Sequence, residues 1–368
     1  MGRLDFCPEV FPDETLFSFV SRYHRLTGFR EFRNTVELLF GTHKVSLHCD
    51  FPQYLHVASA MLFPEEEPSF VIDNLTIFPY FRPYLSSWQI EKATAYLTGR
   101  QTGAIKTLLG MVASQVGAAT LYRYCPACLD ADRCTYGQAY WHRIHQIPGV
   151  WVCPAHQLPL FEVDQAWMAG HRKRLVLPDE TDVRKHSIPL PVISSRLDTL
   201  NRLAQVSAQI LNANLGGVPP EVWRQLYLER AIELGLARPY GRLSLDALGS
   251  YLLSAIAKFP AEHEFRICEL ILGELPSWLL MLLRKQRRAL HPLKHLLLSE
   301  LLGLKSEDML KAVQVTRLLD GAESSSQHEG KSSRASDELL CQIMTSSGGS
   351  LTKVAEITGV SVTTLRLD

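Results

Sequence analysis

Two short motifs, Cys125-Pro-Ala-Cys128 and Cys153-Pro-Ala-His156, decide how the middle of this chain folds. Each motif places two residues between its candidate ligands, and residues 129–152 separate the motifs. Thiolates and imidazole are the ligands that zinc prefers, and two such turns complete a tetrahedron around the ion. The spacing therefore predicts one zinc ion bound by Cys125, Cys128, Cys153 and His156.

The predicted ion is structural rather than catalytic. Three thiolates and one imidazole fill all four positions, so no position is open to water or substrate. His142 and His145 lie between the motifs and are alternative ligands. Because neither belongs to a paired motif, we interpret them as packing residues or as residues that support the ligands. No Gly-rich phosphate loop, nucleophile elbow or carboxylate cluster is evident, so the sequence does not favour an enzyme.

The bulk composition is that of an ordinary globular protein of about two to three domains. Of the 368 residues, 46% are hydrophobic and 21% charged, and 38 Lys and Arg balance 38 Asp and Glu. Any contact with nucleic acid must therefore come from local patches. The chain has no apolar run of membrane-spanning length and no signal peptide at its start, so we expect a cytoplasmic protein without a membrane partner. Paired cysteines in that compartment bind metal more often than they form disulfides.

The pattern along the chain predicts a mainly α fold. Near the start, Leu16, Phe19, Val20 and Tyr23 recur at helical spacing, and Gly28 is the expected stop of that helix. Five segments are expected: an N-terminal helical domain (1–118), a zinc-ribbon-like module (119–165), a helical domain with a basic helix (166–319), a polar flexible linker (320–336) and a helix-turn-helix (337–368).

The most cationic stretch runs from Trp278 to His295. It contains no acid, and its apolar flanks predict a helix anchored in the core that holds the charges at one surface position. Such a surface suits DNA phosphates, although a solvated face paired with acids elsewhere is the alternative. The candidate DNA-binding residues here are Arg284, Lys285, Arg287, Arg288 and Lys294.

The C-terminal segment has a helix-turn-helix pattern. Ala355 and Gly359 lie four residues apart, and Leu365 follows six residues later. The second helix would offer Thr363 and Arg366 to the bases of a major groove, although such modules also bind proteins. This helix would end at Asp368 after about two turns, which is short for a stable recognition helix and suggests that the chain is cut there.

Several motifs together resemble the TniQ/TnsD family, the target-site selectors of Tn-seven-like bacterial transposons. The resemblance covers most of residues 10–300, and the zinc block is its most specific part. The matching stretches are Pro12-Asp-Glu-Thr-Leu-Phe-Ser18 with Arg22, Arg123-Tyr-Cys-Pro-Ala-Cys128, Tyr136-Gly-Gln-Ala-Tyr-Trp-His142, His145-Gln-Ile-Pro-Gly-Val-Trp-Val-Cys-Pro-Ala-His156 and His291-Pro-Leu-Lys-His295.

The resemblance implies a non-catalytic adaptor that locates an insertion site and recruits an AAA+ ATPase regulator of transposition. The TnsD-like branch binds a chromosomal attachment site as double-stranded DNA, whereas shorter TniQ members dock on an RNA-guided CRISPR complex. One pair of zinc motifs and a C-terminal helix-turn-helix favour the DNA-binding branch, with the CRISPR adaptor as the alternative. The resemblance also implies that the N-terminal helices, with Leu16, Val20 and Tyr23, are the surface for the ATPase.

Overall fold

The computed structural model confirms a mainly α fold. It describes residues 4, 6–67, 69–117, 120–171, 173–238, 242–256, 258–260, 262–268, 276–284 and 289–311. Its α-helices are α1 (Leu16–Thr27), α2 (Phe32–Phe40), α3 (Leu55–Leu62), α4 (Phe70–Leu75), α5 (Phe78–Phe81), α6 (Ser87–Thr98), α7 (Ile105–Leu108), α8 (Pro126–Tyr136), α9 (Gln165–Gly170), α10 (Thr181–Lys185), α11 (Leu197–Asn212), α12 (Pro220–Glu233), α13 (Leu245–Ile256), α14 (Ser277–Leu283) and α15 (Pro292–Leu302).

Short antiparallel strands supplement the helices. Strands β1 (Arg123–Tyr124), β2 (Phe161–Val163) and β3 (Ser187–Pro189) form a sheet in the order β1-β2-β3. Strands β4 (Ala237–Arg238) and β5 (Arg242–Leu243) form a separate two-stranded hairpin. Because β3 pairs with β2, the sheet that carries the zinc motifs extends beyond the boundary expected at residue 165.

The first helix shows how local signals and packing agree. Thr15 caps α1 by accepting a hydrogen bond from the Ser18 amide, and Gly28 ends the helix with a positive φ of 69°. The predicted stop at Gly28 is therefore confirmed. Leu16, Val20 and Tyr23 face inward and are 1%, 0% and 3% exposed. Their proposed role as a partner surface is wrong, because an amphipathic stripe packs against the core when the fold supplies one.

One hydrophobic core joins the N-terminal and C-terminal halves of the described chain. The Trp223 indole of α12 donates a hydrogen bond to the Pro83 carbonyl at 3.1 Å and stacks on Tyr84 with ring centroids 5.0 Å apart. His295 of α15 contacts the same Tyr84 ring at 4.5 Å. These buried aromatic contacts hold α12 and α15 against the segment that follows α5.

The basic stretch differs from the single helix predicted for it. Helix α14 ends at Leu283, and Arg284 has extended backbone dihedrals. A new helix, α15, begins at Pro292, because proline cannot continue a helix from the preceding turn but suits its first position.

The two described DNA-binding candidates of this stretch differ in their exposure to solvent. Arg284 is exposed. Lys294 is only 5% exposed, and its ammonium lies 5.9 Å from the Trp278 ring centroid. The prediction that Lys294 lies on the surface is therefore wrong.

The other candidates lie outside the described residues. These are Lys285, Arg287 and Arg288, together with the predicted linker 320–336 and helix-turn-helix 337–368 that contains Thr363 and Arg366. Among the residues that are described, no helix has both the length and the apolar character needed to cross a membrane.

Candidate metal centre

The first pair of ligands lies at the beginning of α8. Cys125 is the N-cap residue, Pro126 occupies the first helical position and Cys128 follows within the first turn. Proline there fixes the helical backbone without losing a hydrogen bond. The positive end of the helix dipole also favours thiolates at these positions. The motif thus directs two sulfur atoms to one point.

The second pair lies in a tight turn after Trp151. The Cys153 amide donates to the Leu158 carbonyl at 2.9 Å, and the Gln157 amide donates back to the Cys153 carbonyl at 2.8 Å. Gln157 has a positive φ of 54°, which lets the chain reverse at this point. The turn presents Cys153 and His156 on the side that faces α8.

The four donors fit a tetrahedral metal site. His156 Nδ1 lies 3.7 Å from Cys125 Sγ, 3.2 Å from Cys128 Sγ and 3.5 Å from Cys153 Sγ. The Cys128 and Cys153 sulfurs are 3.6 Å apart. With metal–sulfur bonds of about 2.3 Å and a metal–nitrogen bond of about 2.1 Å, a tetrahedron has edges of roughly 3.6–3.8 Å. The predicted cluster is confirmed as a group that could hold one metal ion.

Burial and charge at the centre also suit a metal. The three cysteines are buried, with exposures of 0%, 7% and 1%, while His156 is exposed. Hydrogen bonds from the Cys128 and Cys153 thiols lower the pKa of Cys125 far below its usual value. The contact with Cys125, together with burial, raises the pKa of Cys153 to about 11. A bound cation would favour the ionised form of all three thiols.

His142 and His145 have roles other than ligation. His142 Nε2 contacts Asp132 Oδ2 at 3.0 Å, and its ring stacks on Tyr140 at 4.2 Å. His145 is 1% exposed, and burial lowers its pKa well below the usual value. Within the described chain, neither belongs to the group of candidate ligands. Their interpretation as packing or supporting residues agrees with this geometry.

The N-terminal segment docks directly on the zinc block. The Thr15 amide donates to the Trp141 carbonyl at 2.9 Å, and the Trp141 amide donates to the Ser18 hydroxyl at 3.0 Å. The Arg143 amide donates to the Asp13 carbonyl at 2.7 Å. The Tyr140 hydroxyl donates to the Pro12 carbonyl at 2.9 Å. Two motifs that are separate in the sequence, 12–18 and 136–142, therefore form one structural unit.

A buried ion pair supports this unit. Arg22 Nε and Nη2 donate to the two carboxylate oxygens of Glu14 at 2.8 and 2.7 Å, and the guanidinium lies 3.6 Å from the Phe11 ring centroid. Both side chains are almost completely buried. Arg22 was noted in the sequence only as part of a motif. The spacing of eight residues to Glu14 did not indicate their pairing.

A second buried network, centred on Arg123, was missed by the sequence analysis. Arg123 lies opposite Glu162 in the β1–β2 pair, and its guanidinium contacts Glu162 Oε2 at 2.5 Å and Glu264 Oε1 at 2.7 Å. The Trp151 indole donates to Glu264 at 2.9 Å. These contacts connect β1, which precedes Cys125, and Trp151, which precedes Cys153, to a 3-10 helix at His263–Cys268.

The fold and site together define a helical protein whose N-terminal segment and sheet are organised around a closed Cys3His centre. A family model described as TniQ matches residues 6–160, and one described as Tn7-like transposition protein D matches residues 203–324. Together the two matches take in more than half of the chain. The chain belongs to the TniQ/TnsD family, as its motifs predicted.

A curated relative shows the same similarity across both halves. The chain is 25% identical over 302 residues to "Transposon Tn7 transposition protein TnsD" of Escherichia coli, an alignment that covers 78% of this chain. The chain spans 56% of that relative's length. The four candidate metal ligands lie within the region matched by the TniQ model, and helices α12 to α15 lie within the region matched by the Tn7-like protein D model.

Proposed function

We propose that this protein selects the target site of a Tn7-like transposon by binding attachment-site DNA and recruiting an AAA+ ATPase regulator. The observation that carries this proposal is the similarity to TnsD, which extends from the zinc block into the C-terminal helices. The match of residues 203–324 to the Tn7-like protein D model supports the DNA-binding branch. The proposed role is recognition and recruitment rather than catalysis.

The metal in this proposal is one structural zinc ion. Three thiolates and an imidazole form a borderline-soft donor set, and the distances of 3.2–3.7 Å between them suit tetrahedral coordination. Cys125, Cys128, Cys153 and His156 would hold the ion. The ion would cross-link α8 to the turn at 153–158, and no coordination position would remain open for a substrate.

We expect purified protein to contain one zinc ion per chain, measured by elemental analysis. Removal of the ion with a strong chelator should lower the thermal unfolding midpoint and expose apolar surface, because binding free energy at such a site is folding free energy. Adding zinc back should restore the midpoint. Stoichiometric iron, or an unfolding curve unaffected by complete zinc removal, would contradict the assignment.

A cationic groove beside the metal centre is a described surface that suits DNA phosphates. Arg184 and Lys185 of α10 are exposed, and neither forms an ion pair with another described residue. They line a cavity of about 460 Å³ with one acid, Asp130, and with Arg133 of α8, which lies 4.0 Å from Asp130 and 3.8 Å from Asp179. Its wall includes the stacked rings of Tyr124 and Phe161, whose centroids are 5.7 Å apart. Because the ribbon and α8 fix this wall, the charges keep a constant position.

Replacing both Arg184 and Lys185 with alanine should weaken binding to attachment-site duplex about tenfold at moderate salt. The slope of log affinity against log salt should become less steep by about 2, because each lost phosphate contact removes roughly 0.9 from the slope. Fluorescence anisotropy over a salt series measures both quantities. Lys305 and Lys311 are also exposed, so their double alanine variant is the matched control.

The salt dependence distinguishes two proposed DNA-binding surfaces, the groove with Arg184 and Lys185 and the basic stretch with Arg287 and Arg288. If the Arg184/Lys185 variant keeps the wild-type slope of log affinity against log salt, the groove is excluded as a DNA-binding surface. The Arg287→Glu and Arg288→Glu variant then tests the basic stretch predicted from sequence. Absence of duplex binding by wild-type protein at low salt would contradict direct DNA recognition. In that case co-purification with CRISPR subunits would support the alternative, an adaptor on an RNA-guided complex.

The surface for the ATPase must differ from the buried stripe of α1. Apolar side chains are instead exposed near the C-terminal ends of α1 and α2 and between the two helices: Leu26 is 53% exposed, Leu38 37% and Phe29 37%. Exposed apolar side chains of this kind are suited to partner contact. We therefore propose that the ATPase binds the surface formed by Leu26, Phe29 and Leu38.

A further inference from the structure

A cavity of about 270 Å³ lies between the C-terminal helices and the 105–115 segment. Its wall includes Trp278 and Met281 of α14, Ala289, and His291 and Lys294 at the beginning of α15. This volume is several times the roughly 30 Å³ that one water occupies in the liquid. It is therefore large enough for a polyatomic ligand, and its chemistry is set by a few polar groups.

The described part of the wall contains one cation and no acid. Lys294 is the single charged residue among the described residues that line the cavity, and none of them is Asp or Glu. The side chain is 5% exposed, and its ammonium lies 5.9 Å from the Trp278 ring centroid. The Trp278 indole is itself anchored on the Ile267 carbonyl at 2.7 Å. A positive charge in a largely desolvated wall attracts anions more strongly than the same charge in water.

His291 supplies an independent observation. It is 0% exposed, and its Nδ1 accepts the Leu293 amide hydrogen at 3.1 Å, which caps α15. The ring is neutral because burial, together with the nearby charge of Lys294, lowers its pKa to about 3. A neutral ring that accepts at Nδ1 carries its proton on Nε2. Nε2 is buried and has no hydrogen-bond partner among the described residues, so within this part of the chain it is a donor that lacks an acceptor.

We propose that this cavity binds a phosphate group, with the Lys294 ammonium as counter-charge and His291 Nε2–H as hydrogen-bond donor. The eleven-residue helix α15 begins at the same place, and its dipole adds positive potential there. Lysine is a common point-charge ligand of phosphate. The group belongs either to a DNA backbone or to a small phosphorylated molecule, and both present the same tetrahedral anion.

This inference is independent of target-site selection, since a DNA-free titration tests it. Full-length protein is titrated with inorganic phosphate by calorimetry in a zwitterionic buffer. We expect saturable binding at one site. Lys294→Met should weaken it about tenfold or more, because a charge-assisted contact is lost while the side-chain volume is kept. Lys311→Met removes an exposed lysine outside the cavity and should bind phosphate like the wild type.

A second variant separates ligand binding from folding. In His291→Asn the shorter side chain can still cap α15, but it does not replace the Nε2 donor. We expect weaker phosphate binding with an unfolding midpoint close to that of the wild type. Undetectable phosphate binding by wild-type protein would overturn the proposal. Equal binding by Lys294→Met and wild type, or displacement of phosphate by acetate at equal concentration, would do so as well.

Duplex DNA identifies the source of the phosphate. If the DNA backbone enters the cavity, phosphate should compete with duplex, and Lys294→Met should reduce the salt slope by about 1. If the cavity takes a small phosphorylated molecule, Lys294→Met should lose phosphate binding while its duplex affinity stays unchanged. Both results support a phosphate site, and they differ only in the molecule that carries the group.

Discussion

Replacing Cys153 with serine is expected to abolish metal binding and to leave the protein without a cooperative unfolding transition. Serine offers a neutral hydroxyl in place of a thiolate, so three donors remain for a site that needs four. The binding free energy of structural zinc is on the order of 10 kcal/mol in small zinc domains, comparable with the whole stability of a typical protein. Loss of the ion should therefore also cost solubility.

The position of Cys153 explains why the effect should spread. Trp151, Val152 and Cys153 are 0%, 0% and 1% exposed and belong to the hydrophobic core that joins the described segments. Two main-chain hydrogen bonds, with Leu158 and with Gln157, close the turn after Cys153. Without the cross-link to α8, this turn and the buried segment 151–153 should lose their fixed position.

A matched control is available in α8. Cys134 lies in the same helix as Cys128 but is exposed and does not belong to the metal cluster. Cys134→Ser should retain one metal ion and the wild-type unfolding midpoint, as measured by elemental analysis and circular dichroism. A Cys153→Ser protein that is soluble, metal-free and as stable as Cys134→Ser would show that the ion does not maintain the fold.

The metal cluster could be predicted because its information is local. Two ligands three residues apart must point in similar directions, and the proline after each first cysteine restricts the turn. The mainly α class was predictable for a similar reason, since helix caps such as Thr15 and Gly28 are local signals. Neither conclusion needed knowledge of which elements pack together.

The failed predictions depended on packing. An apolar stripe such as Leu16, Val20 and Tyr23 has the same pattern whether it meets the core or a partner, and only the fold decides. Lys294 was assigned to a surface because it lies in a cationic stretch. The proline at position 292 begins a new helix, and α15 is buried along most of its length, with Lys294 included.

Ion pairs between distant residues could not be predicted at all. Arg123 lies 39 residues from Glu162 and 141 from Glu264, and no periodicity connects these positions. Their meeting depends on the β1–β2 register and on the placement of the 3-10 helix at His263–Cys268. The sequence shows three ordinary charged residues, whereas the structure shows one cation neutralised by two buried carboxylates.

The structure of this network predicts the second large effect. Replacing Arg123 with methionine should lower the free energy of unfolding at neutral pH by about 3–5 kcal/mol, because two carboxylates would remain buried without their cation. Burial raises the pKa of Glu264, but the Arg123 charge and the Trp151 hydrogen bond outweigh it, so that this pKa lies below its usual value in the wild type. Methionine fills a similar volume, so the loss should be mainly electrostatic.

The dependence on pH distinguishes a charge effect from a packing defect. A carboxyl whose folded-state pKa is lowered contributes stability above its unfolded pKa and loses it as the pH falls through the folded value. Without Arg123, burial should instead raise the folded-state pKa of Glu264, so that the variant binds a proton on mild acidification. The stability difference between Arg123→Met and wild type should therefore narrow from pH 7 to pH 5, whereas a cavity would leave it constant.

Two further variants complete the test by urea denaturation. Adding Glu264→Gln to Arg123→Met should recover part of the lost stability, because one uncompensated charge is removed while the Trp151 indole keeps an acceptor. Arg174→Met is the surface control: Arg174 is 47% exposed and pairs with Glu180 and Asp182, so its loss should cost less than about 1 kcal/mol. Equal losses for the Arg123 and Arg174 variants would mean that the buried network does not stabilise the junction between the metal centre and the C-terminal helices.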